Sequence, residues 1–309
     1  MRKVSVIIPS YNHEKFLKDR LDSIINQTFQ DFEIIIIDDC STDNSYKVLD
    51  NFVSKHPEKI KYFIQNKENS GSGYKSWKKG IELAETKYVW IAETDDYSSI
   101  YFLEEMINVL ESSSDISLVF CGSNVIDEND TILSNSDKRT SKLNVSNGDF
   151  QDFNLNVFLG NMPFKTFITN GSSVVFKKPS NLPASFFDYK QMSDAFLWTF
   201  LVTSENFSFL NKKLNYFRRH SSATTVRMTK NHLKQVFVEK AEYMNYFNLQ
   251  DKYYIFIKEY IRLCVWNNKK LMFNFDVINS IENVSFKKIK YLVVLLVFTL
   301  RKLKHYIYK

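Results

Sequence analysis

The chain has 309 residues, of which 44% are hydrophobic and 16% aromatic, and its formal net charge is +6. This composition suffices for a packed core in one large domain, with or without an appendage, and excludes a disordered chain. The three cysteines are widely spaced and contain no CxxC pair, which excludes a disulfide framework and a cysteine zinc site and favours a reducing cytoplasm.

The positive charge is concentrated in residues 283–309, which hold seven Lys or Arg and no acid. In the rest of the chain, basic and acidic residues nearly balance. We therefore predict no nucleic-acid partner, because the chain also lacks a groove-reading motif. The opening residues, MRKVSVIIPSYN, enter a strand pattern without a small-residue cleavage site, so we expect no secretory signal.

Strands and helices alternate in the first third of the chain. Apolar runs predict four strands, at residues 3–9, 32–37, 60–65 and 88–92. Amphipathic segments predict helices at residues 14–26, in a segment ending near 55, within 69–85 and at 101–110. This alternation predicts a parallel sheet with right-handed crossovers.

The pattern is less regular after residue 110. A strand is predicted at 116–121, a long polar functional loop at 123–153, and a further strand at SVVF, residues 173–176. A helix is predicted within 186–204, and two short strands at 207–210 and 214–218. From residue 229 the sequence is helical, aromatic and Lys-rich, so we expect a separate helical appendage there.

The stretch KYVWIAETDDYS, residues 87–98, ends an apolar strand in the three carboxylates Glu93, Asp95 and Asp96. Sites in open α/β sheets lie at the carboxyl ends of the strands. Acidic side chains at that place suit a divalent cation with oxygen ligands, such as Mg²⁺ or Mn²⁺. The alternative is that Asp95 and Asp96 cap the helix that begins near Ile100.

Four motifs occur at the ends of successive predicted strands: PSYNHEKFL at 9–17, DDCSTDNS at 38–45, ENSGSGYKSWKKG at 68–80 and ETDD at 93–96. Together they resemble the family 2 glycosyltransferases over about the first 220 residues. The resemblance implies a GT-A type α/β fold, Rossmann-like, with a mainly parallel sheet flanked by helices and a C-terminal helical appendage. The expected domains are a GT-A domain at 1–225, with a nucleotide-sugar-binding half at 1–122 and an acceptor half at 123–225, and a helical region at 226–309.

The resemblance also implies contacts to a nucleotide-sugar donor. Pro9 and Tyr11 are expected near the base, with the Tyr11 ring against it, and Asp39 is expected to accept the imide N–H of uracil or thymine. Lys75 lies where family members approach the donor. The alternatives are core packing for Tyr11, an Asx turn for Asp39 and a solvated helix face for Lys75.

The diphosphate is the leaving group, and a cation would neutralise its developing charge. By resemblance, Asp96 is the expected metal ligand and Asp95 contacts ribose or metal, while Glu93 replaces the leading aspartate of the family. In the late element RRHSSATT, His220 is expected to bind the metal, and Arg218 or Arg219 is expected to pair with phosphate. The alternatives are a surface histidine and a solvated arginine.

An acceptor hydroxyl must lose a proton as it attacks, which requires a carboxylate on a separate segment. Asp194, in KQMSDAFLW, corresponds to the catalytic aspartate of the family, with Ser193 where a second acid is common. Asp188 is the second choice. The structural alternative is that Asp194 caps the following helix.

The tail contains ten uncharged residues, YLVVLLVFTL at 291–300, which is about half the length that a membrane-spanning helix needs. Basic residues flank this run on both sides. The pattern predicts peripheral membrane contact through residues 285–309, lying in the plane of an anionic leaflet. A buried C-terminal helix is the alternative.

The sequence thus predicts metal-dependent, inverting transfer of a sugar from a UDP- or dTDP-sugar, with Mn²⁺ or Mg²⁺ as cofactor. The expected acceptor is a hydroxyl of a growing glycan, such as a lipid-linked oligosaccharide in bacterial capsule or O-antigen synthesis. The expected location is the cytoplasm or the inner face of the cell membrane. Two other functions fit the sequence: a nucleotidyltransferase, and a non-catalytic scaffold that binds nucleotide sugar.

Overall fold

The computed structural model describes residues 2–135, 137–220 and 230–267. The chain divides into two compact units, Met1–Ala223 and Thr224–Lys309. The predicted membrane-contacting tail at 285–309 lies outside the described residues, as does the part of the RRHSSATT element after His220.

A single mixed sheet forms the centre of the first unit. Its strands are β1 Val4–Ser10, β2 Phe32–Asp38, β3 Ile60–Gln65, β4 Tyr88–Ile91, β5 Tyr97–Ser98, β6 Ile116–Ile126, β7 Ile132–Asn135, β8 Phe150–Phe153, β9 Val174–Lys177 and β10 Asn206–Arg218. Their order is β3-β2-β1-β4-β9-β6-β10-β5, and β7 and β8 pair with β6 and β10. The β3-β2-β1-β4 half is parallel, as predicted, and β9 lies antiparallel between β4 and β6.

Helices cover both faces of this sheet. The described helices of the unit are α1 Glu14–Ile25, α2 Ser45–Lys55, α3 Gly73–Leu83, α4 Phe102–Ser112, α5 Asp137–Thr140, α6 Leu155–Asn161 and α7 Ser193–Val202. One face of β1, with Val6, packs with Leu21 of α1 and Leu49 of α2 in the main core. On the other face, Gly80 of α3 lies so near Ile7 that a Cβ there would be 2.3 Å from the Ile7 side chain. The predicted α/β class is confirmed.

Two predictions about the second half of this unit were wrong. Residues 123–153 are not one long loop, because they contain the end of β6, all of β7 and β8, and short helical segments. The two strands predicted at 207–210 and 214–218 are one long strand, β10, with register shifts between Leu210, Lys213 and Asn215. The polar residues at those irregularities interrupt the apolar pattern without ending the strand.

The second unit is described for α8 Lys230–Tyr246 and α9 Tyr253–Asn267. Phe237 of α8 contacts the rings of Phe256 and Tyr260 on α9, with centroids 5.5 and 4.9 Å away. These contacts pack aromatic side chains of the two helices against each other. Within the ranges that the structure describes, no helix combines the length and the apolarity that crossing a bilayer requires.

Candidate active site

The carboxyl ends of the parallel strands bring the predicted motifs together. β1 and β2 end side by side, with Ser10 paired to Asp38, and β4 lies on the other side of β1 with Ile91 paired to Ile7. The loops that follow these three strands therefore leave the sheet at the same edge. That edge is the place where an open α/β sheet binds ligands.

The loops after β1 and β2 are joined by hydrogen bonds. Asn12, with a φ of 53°, receives a hydrogen bond from Thr42 N at 2.7 Å and donates its own backbone N–H to Ser41 Oγ at 3.0 Å. Tyr11, at the tip of the first loop, is 42% exposed. The core-packing alternative for Tyr11 is therefore wrong, and its ring is available to a ligand.

Asp39 is buried, and its carboxylate orders the loop that follows β3. It accepts hydrogen bonds from Asn66 Nδ2 at 2.6 Å, Asn69 Nδ2 at 3.1 Å and Ser70 Oγ at 2.8 Å. Exposed Lys75 donates to the Ser70 carbonyl at 3.0 Å, which places it on the rim of the same loop. The Ser70 backbone N–H is a fourth donor, 3.0 Å from Asp39 Oδ1. Because a carboxylate has about four acceptor positions, a base imide could use Asp39 only by replacing one of these donors.

The carboxylates after β4 do not act as a helix cap. Helix α4 begins at Phe102, and its N-cap residue is Tyr101, which makes no capping hydrogen bond with its side chain. Asp95 and Asp96 instead precede the short strand β5. The capping alternative is thus wrong. The side chains of Asp95 and Asp96 point to different neighbouring groups.

Asp96 is 1% exposed and is held by protein groups. Its oxygens accept hydrogen bonds from Asn170 Nδ2 at 2.8 Å and from the Arg218 backbone N–H at 3.0 Å. Burial and the neighbouring negative charge of Asp95 raise the pKa of Asp96 to about 6. Its carboxylate therefore acts here as a buried hydrogen-bond acceptor.

Arg20 is a fully buried cation beneath the same carboxylates. Its Nε donates to the Glu93 carbonyl at 2.8 Å, and one terminal nitrogen lies 3.9 Å from Asp96 Oδ2. The guanidinium lies over the Trp90 ring at 5.5 Å. Burial lowers the pKa of Arg20 to about 10, which still leaves the group charged at neutral pH.

Glu93 links this cluster to Asp194. Burial raises the pKa of Glu93 well above its usual value, and the negative charges of Asp95, Asp96 and Asp194 add to the effect. Asp194, in the first turn of α7, therefore lies within electrostatic range of Glu93. The N-cap position of α7 falls on Met192, while Asp194 in the first turn accepts the Ala195 N–H at 2.7 Å through Oδ1, a hydrogen bond of the kind that the capping alternative predicts.

The second-choice base differs from Asp194 in its position. Asp188 is exposed, at the end of the short 3₁₀ turn Ala184–Phe187. The charge of Asp194, in contrast, acts on Glu93, which links Asp194 to the predicted site.

Three side chains form a group that could hold a metal ion. One ligand atom from each of His13, Asp95 and His220 lies within 4.8 Å of the other two, and His220 Nε2 is 3.1 Å from Asp95 Oδ2. Burial alone would raise the pKa of Asp95, but a hydrogen bond from His220 and the two histidines lower it. Two imidazoles and one carboxylate fit a divalent first-row ion. Asp96, the expected ligand, is not part of this group.

The side chain of His13 is connected to the first strand. His13 Nδ1 lies 2.6 Å from Thr94 Oγ1, and that hydroxyl donates to the Pro9 carbonyl at 3.2 Å. The backbone N–H of His13 donates to Ser45 Oγ at 3.0 Å. Pro9 therefore belongs to the site through its carbonyl group. Burial of the His13 imidazole lowers its pKa.

Arg218 does not have the geometry expected of a phosphate ligand. The side chain is 1% exposed; it donates to the carbonyls of Asp95 at 3.0 Å and Asp127 at 3.2 Å and pairs with Asp130 at 2.8 Å. These contacts fix the loop after β4 to the β6–β7 hairpin. The next residue, Arg219, is exposed and is the arginine that a phosphate could reach.

Sequence reasoning missed His13, Arg20 and Asn170. Arg20 gave a signal, because it falls on the apolar side of α1 between Leu17 and Ile24, where a charge requires a buried partner. His13 lies within the motif PSYNHEKFL, but the sequence pattern did not indicate a role for it. Asn170 gave no local signal, because its partner Asp96 is far away in sequence.

Comparisons with known proteins agree with this architecture. Residues 5–167, more than half of the chain, match the family model Glycosyl transferase family 2. The fold is the GT-A glycosyltransferase fold, and the chain belongs to the family 2 glycosyltransferases, as the four motifs predicted.

Among curated relatives, a glycosyltransferase of Methanocaldococcus jannaschii is 36% identical over 132 residues, 42% of this chain and 44% of that protein. The poly(ribitol-phosphate) beta-glucosyltransferase of Bacillus spizizenii is 35% identical over 119 residues, 38% of this chain and 18% of that enzyme. The matched part thus spans less than half of either relative.

Solved structures show the same fold at low identity. Staphylococcus aureus TarS 1-349 in complex with UDP-GlcNAc has a TM-score of 0.59 at 19% identity, covering 95% of this chain and 79% of that one. The mannosyltransferase PcManGT from Pyrobaculum calidifontis, in complex with GDP-Man and Mn²⁺, has a TM-score of 0.52 at 16% identity, covering 78% and 63%.

Proposed function

We propose that the chain transfers one sugar, with inversion, from a UDP- or dTDP-sugar to a hydroxyl group of a glycan. The observation that carries this proposal is the position of Asp194. This carboxylate on α7 lies within electrostatic range of Glu93, the first acid after β4, and a direct displacement needs such a base on a separate segment. The base then lies on a different element from the groups that hold the leaving diphosphate.

The donor lies along the loops after β1, β2 and β3. The exposed Tyr11 ring stacks on the base, and Asp39 keeps the loop of Ser70 in place or exchanges one of its donors for the base imide. Lys75 on the rim and Arg219 beyond β10 meet the diphosphate oxygens. Arg218 supports them from below, through its contact with the Asp95 carbonyl.

Asp95 and His220 would hold the cation, and Asp96 orders the loop after β4. A Mn²⁺ or Mg²⁺ ion, when bound, offsets the charge that develops on the leaving diphosphate. Asp96 accepts the Arg218 N–H and the Asn170 amide, and these bonds fix the backbone beside Asp95. Asp194 accepts the proton of the attacking hydroxyl, and a single displacement of this kind inverts the anomeric carbon.

The acceptor is a growing glycan, and a lipid-linked oligosaccharide or a related surface polymer is the preferred class. Support comes from the relative that acts on poly(ribitol phosphate) and from the fold shared with a UDP-GlcNAc complex. Such an acceptor would agree with peripheral membrane contact through residues 285–309. Deletion of those residues should release the protein from membranes if that contact exists, whereas an insoluble truncated protein would favour a buried helix.

The test is a screen of UDP-, dTDP- and GDP-sugars for Mn²⁺-dependent hydrolysis by the wild type, Asp194→Asn and Asp188→Asn. We expect hydrolysis of one UDP- or dTDP-sugar, a loss of about 10²–10⁴-fold in Asp194→Asn and little change in Asp188→Asn. Pyrophosphate release from a nucleoside triphosphate would instead identify a nucleotidyltransferase. Binding of UDP without turnover of any sugar or acceptor would identify a scaffold.

A further inference from the structure

We propose that His13 is a third protein ligand of the cation, so that the site consists of two imidazoles and one carboxylate and selects a transition-metal ion over Mg²⁺. This inference rests on the proposed function, because the same ion would meet the donor diphosphate. It adds a residue from the loop after β1 to Asp95 and His220.

The hydrogen bonds of Thr94 determine which nitrogen of His13 is available. Thr94 Oγ1 has one hydrogen and lies 3.2 Å from the Pro9 carbonyl, a group that can only accept, so we assign the hydrogen to this contact. The hydroxyl therefore accepts from His13 Nδ1–H across 2.6 Å. In this tautomer His13 Nε2 carries the lone pair, as in metal-binding histidines whose other nitrogen donates to a fixed acceptor.

The distances suit one ion with little movement. With metal–ligand bonds of about 2.1 Å, adjacent ligand atoms of an octahedral ion lie about 3 Å apart and opposite ones about 4.2 Å apart. His220 Nε2 and Asp95 Oδ2 are 3.1 Å apart, and all three ligand atoms lie within 4.8 Å of one another.

His13 is held in place but has no capping role. It occupies the N-cap position of α1 without a capping hydrogen bond from its side chain, and the Glu14 N–H is satisfied by Asp43 Oδ2 at 3.1 Å. Its ring contacts the rings of His220 and Phe16, with centroids 5.9 and 6.1 Å away. The imidazole is thus fixed by Thr94, by Ser45 at its backbone and by these rings.

The donor set predicts an order of metal affinities. Imidazole favours ions of the later first-row series, whereas Mg²⁺ prefers oxygen ligands and water. Affinity should therefore rise from Mg²⁺ through Mn²⁺ to Co²⁺. The remaining coordination positions stay available to the oxygens of a diphosphate.

The experiment measures Kd for Co²⁺, Mn²⁺ and Mg²⁺ by calorimetry, with and without UDP, in the full chain. His13→Gln is compared with His56→Gln, which changes a histidine at the far end of α2. We expect His13→Gln to bind Co²⁺ at least about tenfold more weakly than the wild type does, with a smaller loss for Mg²⁺. His56→Gln should bind all three ions like the wild type. Thermal melting without metal verifies that each variant is folded.

A second pair of variants tests the tautomer. Thr94→Val removes the acceptor of His13 Nδ1–H, whereas Thr94→Ser keeps it. We expect about a 10–100-fold loss of Co²⁺ affinity in the first and near wild-type affinity in the second.

Equal Co²⁺ affinity in His13→Gln and the wild type would overturn the proposal and leave Asp95 and His220 as the proposed ligands. If the wild type bound none of the three ions, with or without UDP, both the three-residue set and the metal dependence would be wrong. Sugar transfer itself would then be judged separately, by donor hydrolysis in EDTA.

Discussion

The side-chain amide of Asn170 lies between two carboxylates: its Nδ2 is 2.8 Å from Asp96 Oδ2 and 3.4 Å from Glu93 Oε2. Its Oδ1 accepts a hydrogen bond from Asn215 Nδ2 at 2.9 Å, which fixes the orientation of the amide. A neutral hydrogen-bond donor thus lies between two carboxyl groups whose negative charges would repel each other. Asn170 joins the segment before β9 to the site.

Asn170→Asp should destabilise the fold, because the donor becomes a third carboxylate in a buried cluster. We expect the free energy of unfolding to fall by about 1–3 kcal/mol at neutral pH, as for a buried group left without its hydrogen bond. Urea unfolding measures this. Asn51→Asp, on an exposed position of α2, is the control and should stay within about 0.5 kcal/mol. Equal losses in both would assign no special role to Asn170.

Gly171→Ala should disturb the same segment by overpacking. A Cβ at Gly171 would lie 2.6 Å from Cη2 of Trp77, which is buried, so either the ring or the turn must move. We expect a loss of about 1–3 kcal/mol and reduced donor hydrolysis, since the turn carries the hydrogen bond between Ser172 and the Glu93 backbone.

The control for this substitution is Gly160→Ala. Gly160 lies exposed in α6, and a Cβ there would meet no atom within 4 Å. Alanine should be neutral or slightly stabilising at that position. Full stability and activity in Gly171→Ala would show that Trp77 has room to shift.

Substitutions of Arg218 and Arg219 should have different effects, because Arg218 has a structural role and Arg219 is proposed to bind phosphate. Arg218→Met leaves the carbonyls of Asp95 and Asp127 without their donor, so we expect a loss of about 1–3 kcal/mol in urea unfolding. Arg219→Met should unfold like the wild type but bind UDP at least about tenfold more weakly by calorimetry. The reverse result would place Arg218 on the phosphate.

Cys40 offers a probe of the donor site. It follows Asp39 in the left-handed region, with a φ of 62°, and its Sγ lies 3.8 Å from the Lys67 carbonyl. Cys121 is buried, and burial raises the pKa of its thiol to about 12, so it should react slowly with a thiol reagent at pH 8.

In a Cys264→Ser background, we expect Cys40 to be labelled first and UDP to slow that labelling. Cys40→Ser, labelled with and without UDP, is the control and should show slow modification in both cases. An unchanged rate at Cys40, under conditions where UDP binds by calorimetry, would place the nucleotide elsewhere.

The sheet from β1 to β4 was predictable because each of its strands is one apolar run and each crossover is one amphipathic helix. These are local patterns, and their order fixes the parallel topology. β10 was not predictable in this way, because its pairings with β6, β8 and β5 are all distant in sequence. Its length is set by those partners and not by its own hydrophobic pattern.

The sequence predicted where in the fold the candidate site lies, but not which side chains contact each other there. The motifs indicated that Asp95, Asp96 and Asp194 belong together, and in the structure the charge of Asp194 acts on their neighbour Glu93. Which of two adjacent carboxylates turns inward depends on the backbone after β4 and on Asn170, which no local pattern reveals. The same holds for Arg218, whose partners Asp95, Asp127 and Asp19 lie on three other segments.

The rings of His13 and His220 have their centroids 5.9 Å apart, although the two residues lie near the first and the last residue of the first unit in sequence. During synthesis the first imidazole leaves the ribosome early and the second only after nearly the whole unit has emerged. A nascent chain that stops before β10 would also lack the backbone N–H of Arg218 that Asp96 accepts. Completion of this cluster therefore coincides with completion of the domain, and unfinished chains would carry no assembled site.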